Sequence, residues 1–165
     1  MPTPQMVRQI TKLFPIIYSA WSQCKSGSRG ARAFPQWYSC RVKDGGLYIV
    51  ALRLRRPRRV TIGALGRHRL RAGSYLYIGT ARRGLTPRVR RHIDGPATRH
   101  WHIDHLTSLS DATALGAVVL PDCRLSECEL NQQLATELGL TAPVPGFGAS
   151  DCRAGCPAHL WYRAD

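Results

Sequence analysis

Residues 1–43 contain no Asp or Glu, and no Lys occurs after Lys43. Glutamate is scarce throughout, present only as Glu127, Glu129 and Glu137. No run approaches the roughly 18 consecutive apolar residues of a spanning helix, which excludes one, and no membrane partner is expected. What is present narrows the class further. An apolar share of 44% over 165 residues excludes wholesale disorder and suffices for one ordinary core. Lys and Arg outnumber Asp and Glu by 24 to 10, a formal charge of +14, so polyanions are the favoured partners. Every cation after residue 43 is Arg. That habit suits bidentate phosphate contact, and it suits a biased base composition equally.

The acid-free segment 1–43 reads as a basic extension of unassigned status outside the folded unit. Its short apolar run, Leu13 to Trp21, is broken by Pro15 and followed by a Ser/Gly/Arg stretch. A signal peptide, a transit peptide and a non-native leader all remain open. For the last, Val42 can be encoded by an alternative start codon.

Regular patterning begins at Asp44. Gly46 to Leu54 reads as a strand with Tyr48, Val50 and Leu52 on one face and Ile49, Ala51 and Arg53 on the other. The basic turn Arg55–Arg59 leads to a short strand near Val60–Ile62, and Ser74 to Thr80 reads as another. These spacings predict an antiparallel meander. Thr86-Pro87 marks a helix start, with Thr as cap and Pro first inside, and Gly95-Pro96 marks its end. That helix carries Arg88, Arg91 and His92 on one side. A second helix is expected over 99–109 and a strand over 114–120. Ser126 and Glu129 have capping-box spacing ahead of a helix to Leu138, stopped by Gly139. The fold class is α/β in the broad sense (α+β), a small, mainly antiparallel sheet flanked by helices over residues 44–165.

Several blocks then carry a resemblance. Gly46-Leu47-Tyr48 stands about thirty residues before Tyr77-Ile78-Gly79. Gly73-Ser74-Tyr75 and Thr80-Ala81 flank the second motif. His100 to Asp104, Glu127-Cys128 and Gly146 to Leu160 follow in order. This set resembles the GIY-YIG nuclease superfamily, in its Uri-type endonuclease-like branch, and spans nearly all of 44–165. The resemblance implies an endonuclease that hydrolyses nucleic-acid phosphodiesters with Mg²⁺ or Mn²⁺, on DNA before RNA, in the cytoplasm. It implies catalytic roles for Tyr48, Tyr77, Arg88 and Glu127. Tyr48 would be the general base or its relay, although a free phenol near pKa ~10 is a poor base at neutral pH. Tyr77 would position the water or a phosphate oxygen. Tyr75 shares the face of Tyr77 but reads as an ordinary strand aromatic.

Arg88 would hold the scissile phosphate, since a planar fork suits charge building on phosphoryl oxygens. Arg91 and His92, on the same helical side, would contact nucleic acid, and Arg55, Arg56, Arg58 and Arg59 would line its path. Glu127 would hold the catalytic metal; Glu129 is taken up by capping, and Glu137 by solvent. The dense block His100-Trp101-His102 reads as a wall of the site, with Trp101 able to stack an unpaired base. As a strand, this block would gather His100, His102 and Asp104 on one face. As a helix, it would join His100 and Asp104 at i, i+4 and set His102 about 200° from His100.

Cys152-x3-Cys156-x2-His159, with Cys128 from the helix, has the donors for a tetrahedral Zn²⁺ site. Buried cysteines with a core His fit the same spacing. Two other functions stay open. One is a non-catalytic, zinc-stapled nucleic-acid-binding module, whose binding would persist in chelator without cleavage. The other is a His-hydrophobic-His nuclease with a Tyr nucleophile, which would leave a phosphotyrosyl adduct. A lone domain of this kind relies on structure recognition or on a targeting partner protein.

Overall fold

The computed structural model describes residues 44–121 and 123–164, so the extension over 1–43 lies outside the described residues. Strand β1 (Gly46–Leu54) is apolar on both faces, and that fixes its place at the centre of the sheet. Two short strands follow, β2 (Arg58–Thr61) and β3 (Arg67–Leu70), then the long β4 (Gly73–Ala81). After the helices α1 (Leu85–Asp94) and α2 (Asp104–Thr107) come β5 (Ala112–Leu120), α3 (Glu127–Glu137) and β6 (Leu160–Arg163). The main sheet runs β5-β1-β4-β6, antiparallel at every pairing. The expected α+β class is what the chain adopts.

The two faces of β1 and β4 seed two cores. Tyr48, Val50, Leu52 and Tyr77 pack beneath α1 and α2, against Leu85, Val89, Ile103 and Leu106. Leu47, Ile49, Leu76 and Ile78 pack on the opposite face against Leu130 and Leu134 of α3 and Trp161 of β6. One apolar alternation therefore builds both layers. Asn131, fully buried in α3, ties the second layer together. Its Nδ2 donates to the Ala158 carbonyl at 2.8 Å, and its Oδ1 accepts from Trp161 Nε1 at 2.6 Å.

Three expectations need correction. The strands do not form a meander: β1 pairs directly with β4, and β2 and β3 form a separate hairpin inserted between them. The hairpin's outward Arg59, Thr61, Arg67 and Arg69 give it one apolar side only, through Val60 and Leu70. Thr86 is not the helix cap. Gly84, in the left-handed region at φ 67°, caps α1 and reverses the chain out of β4. The helix expected over 99–109 shortens to α2, because residues 100–103 are held in a turn by the carboxylate of Asp104. At α3 the capping box forms as the spacing requires, with Glu129 Oε2 2.7 Å from the Ser126 N–H.

Candidate active site and metal cluster

The register of β1 and β4 sets Tyr48 opposite Gly79 and Val50 opposite Tyr77. A Cβ on Gly79 would lie 2.9 Å from Tyr48 Cε2 and closer still to Cζ and Oη. The bare glycine is thus what lets the Tyr48 ring lie across β4. The two rings sit 6.2 Å apart, and both line one cleft of about 970 Å³. Arg88 of α1, Trp101 and Glu127 also line that cleft. The four residues expected to be catalytic are therefore brought to a single concavity from β1, β4, α1 and α3.

Arg88 donates to the Thr80 carbonyl at 3.2 Å and lies 4.8 Å above the Trp101 ring. Arg91 also lies over this ring, 5.0 Å from its centroid. His100 and His102 reach the cleft as well. His102 Nδ1 accepts from the Gly148 N–H at 2.9 Å, and burial lowers its pKa, so the ring stays neutral with its proton on Nε2. The block is a turn rather than a strand, so His100, His102 and Asp104 do not converge as one cluster.

Two expected nucleic-acid contacts are turned inward. Arg91 donates to Asp104 Oδ2 at 2.9 Å. His92 is 1% exposed, with Nε2 3.2 Å from Tyr48 Oη and Nδ1 3.6 Å from Asp104 Oδ1. Its surface role gives way to a buried one: it orients the Tyr48 phenol. The signal was in the sequence, since Leu85, Val89 and His92 follow the i, i+4, i+7 spacing of a core face. The basic turn is corrected too. Arg55 donates to the Ser110 carbonyl at 3.0 Å and Arg58 pairs with Asp111, and none of Arg55, Arg56, Arg58 and Arg59 lines the cleft. Arg82 and Arg83, directly after the second motif, do line it. Sequence reasoning passed over both, and it placed Asp104 in the histidine block without seeing its role as the hub of the turn. This fully buried carboxylate collects the N–H groups of His100 and Trp101 at 2.8 and 3.0 Å besides Arg91.

Burial pushes the Tyr48 phenol up to about 12, against the pull of Arg88. Burial pulls His92 down to about 4, and the nearby Asp104 offsets only part of this. A neutral imidazole is therefore the acceptor for Tyr48, and it is far too weak a base to take the phenol's proton. His92 sets the direction of the phenol proton; it is not a sink for it. The same shift makes a stability prediction. The folded His92 pKa lies below the unfolded value, so its contribution is complete above about 6.5 and is lost as pH falls toward about 4. Between pH 7 and 4.5 this single group accounts for a loss of about 2–3 kcal/mol. His92→Gln is expected to flatten that part of a urea-unfolding pH profile; an unchanged slope would refute the assignment.

Behind Glu127 lies a second constellation. Cys128, Cys152, Cys156 and His159 bring their ligand atoms within 4.8 Å of one another, and this Cys3His cluster can hold a metal ion. The Cys128 and Cys152 sulfurs are 3.5 Å apart. The Cys156 N–H draws the Cys152 thiol down to about 6, with help from Cys128 and the Ala154 N–H, whereas burial raises Cys128 to about 12. One thiolate among thiols is a ready first ligand. His159 is 3% exposed. Its Nδ1 lies 2.8 Å from Glu127 Oε1, while Nε2 is buried without a hydrogen-bond partner among the described residues.

The fold and site thus define a small α+β domain with an arginine- and tyrosine-lined cleft backed by a cysteine-histidine cluster. The family described as "Domain of unknown function DUF123" matches residues 47–165, and the chain belongs to that family. No curated protein and no solved structure matches it. Among the described residues, no helix is long and apolar enough to cross a membrane.

Proposed function

We propose that the chain is a GIY-YIG-type endonuclease that hydrolyses nucleic-acid phosphodiesters, DNA before RNA, with Mg²⁺ or Mn²⁺. The observation that carries this reading is the convergence of Tyr48, Tyr77, Arg88 and Glu127 on one cleft. The motifs resembling that superfamily supply exactly these side chains, and Arg82 and Arg83 add positive charge beside them.

The donor set fits a hard divalent cation. Glu127 is 23% exposed at its side chain, and His159 holds one of its oxygens, which leaves the other for a cation that keeps waters and substrate phosphate in its shell. When bound, such an ion supplies Lewis-acid stabilisation of phosphoryl charge. Tyr48 donates its proton to His92 Nε2, so the lone pairs of Oη are left to accept from the attacking water. With the phenol near 12 and His92 no sink for its proton, Tyr48 orients the attacking water by accepting its hydrogen bond, and the proton that the water loses passes to solvent in the cleft. Arg88, fixed between Thr80 and Trp101, offers its remaining N–H groups to the non-bridging oxygens. Trp101 supplies a face for an unpaired base, and Arg82 and Arg83 contact the backbone. For the Cys3His cluster, thiolate-rich donors select Zn²⁺ over Mg²⁺.

The test is cleavage of end-labelled single- and double-stranded DNA by the full chain, with Mg²⁺ and with chelator. Cutting is expected only with metal, and Tyr48→Phe and Glu127→Ala should each reduce it by ~10²-fold or more. Binding should change little in either variant. Chelator-insensitive binding without any cutting would overturn the nuclease reading in favour of a binding module.

A further inference from the structure

The cysteine-histidine cluster and the cleft share one histidine, and that sharing has a chemical meaning. The two ring nitrogens of His159 face different partners: Nδ1 reaches Glu127 Oε1 at 2.8 Å, and Nε2 is buried among the cysteines with no hydrogen bond. A buried nitrogen with no partner is costly unless something satisfies it. In a tetrahedral zinc site with Zn–S of about 2.3 Å, sulfurs stand about 3.8 Å apart. The cluster is near that size already, with one sulfur pair at 3.5 Å and all donors within 4.8 Å. Gln132 Nε2 lies 3.9 Å from Cys156 Sγ, an outer N–H···S contact that steadies a thiolate.

We infer that a Zn²⁺ held by Cys128, Cys152, Cys156 and His159 Nε2 positions Glu127 through His159 Nδ1, and so sets the affinity of the cleft for its divalent cation. The inference rests on the reading of Glu127 as the cation ligand. Zinc on Nε2 leaves Nδ1 as the protonated nitrogen, and among the described residues its acceptor is the Glu127 carboxylate. Without zinc the ring loses its anchor at Nε2, and the direction of its bond to the carboxylate is no longer fixed. Cys128 follows Glu127 directly at the first turn of α3, so the ion grips the helix terminus on one side of Glu127 and its hydrogen-bond partner on the other. The cluster is thereby a positioning device for the cleft as well as a staple for residues 152–159.

The experiment uses the full chain with Co²⁺ in place of Zn²⁺, which keeps the cluster filled and the protein folded. Visible bands of a tetrahedral three-sulfur, one-nitrogen site are expected at one Co²⁺ per chain. Proton NMR should show one exchangeable, strongly shifted imidazole N–H from His159 Nδ1. Addition of Mg²⁺ should move that resonance in the wild type but not in Glu127→Ala, where the resonance should also start from a different position. In parallel, Cys152→Ser is expected to raise the Mg²⁺ concentration for half-maximal cleavage by about 10–100-fold with DNA binding unchanged. Absence of the tetrahedral spectrum would overturn the zinc site. A resonance indifferent to Mg²⁺, in protein that still cuts, would overturn the coupling. If Glu127→Ala shifts the resonance but the wild type cuts no nucleic acid, the His159–Glu127 bridge stands and the nuclease reading falls.

Discussion

Asp104→Ala is expected to destabilise the domain by about 3 kcal/mol, measured as the shift in urea unfolding at pH 7. Asp104 is fully buried and gathers the N–H groups of His100 and Trp101, the Arg91 guanidinium at 2.9 Å and, more distantly, His92. Its own carboxyl pKa is lowered, because these donors, led by the Trp101 N–H, outweigh the penalty of burial. Removing it strands two backbone donors and takes the countercharge from Arg91, which keeps only the Thr98 carbonyl and the Trp101 ring. Breaking a buried pair costs about 3–5 kcal/mol, and the lower end applies because Arg91 keeps 30% of its side chain in solvent and can rehydrate. Against a total stability of about 5–15 kcal/mol, that is a large share. Asp104→Asn retains an oxygen for the backbone donors but not the countercharge, so it should fall between wild type and Ala. A loss under about 1 kcal/mol for Ala would show that the turn over 100–103 is held by other means.

The second large effect is expected from Gly79→Ala. The φ of Gly79 lies outside the left-handed region, so the added methyl brings no backbone strain. It brings a collision, because the methyl would occupy the space of the Tyr48 ring edge. Tyr48 is itself buried and cannot retreat toward β5 without disturbing the packing around His92. Overpacking of this kind costs about 1–3 kcal/mol. The larger consequence is positional: a displacement of about 1 Å at a reacting group lowers turnover by ~10²-fold. The expected signature is a fall in kcat with little change in DNA affinity, and no further fall when Tyr48→Phe is added. Preserved kcat would mean that the phenol need not be where the structure holds it.

How far the sequence foretold all this depends on what each residue's pattern can encode. β1 and β4 were legible because both of their faces are apolar and strand-forming, and α3 because Ser126 and Glu129 sit at capping-box spacing. The hairpin β2–β3 was not, since residues 58–70 alternate only weakly and their pairing is settled by the β1–β4 register around them. Tyr48, Tyr77, Arg88 and Glu127 were legible as motif positions, and their shared cleft is a matter of tertiary placement. His92 was misjudged because α1 carries its exposed and buried arcs side by side: Arg88 lies about 40° from His92 around the helix, and Val89 about 60°. Arg91 was misjudged because its partner, Asp104, lies in a separate turn. The Cys3His set could be listed from spacing alone, but the orientation of the His159 ring toward Glu127 could not.

The hydrogen bonds of Asn131 bracket His159 closely, one on Ala158 just before it and one on Trp161 just after it. The His159 backbone is held as well, through its N–H to the Phe147 carbonyl at 2.7 Å and its carbonyl to the Ile78 N–H at 3.0 Å. Cys128 sits in the first turn of a capped helix. All four donors are therefore already gathered, two of them on firmly held backbone and two on the stretch from Cys152 to Cys156, whose Arg153, Ala154 and Gly155 are exposed. The exposed stretch between Cys152 and Cys156 is thus the side of the cluster that faces solvent, and the side from which thiol-seeking metals and oxidants would reach the sulfurs.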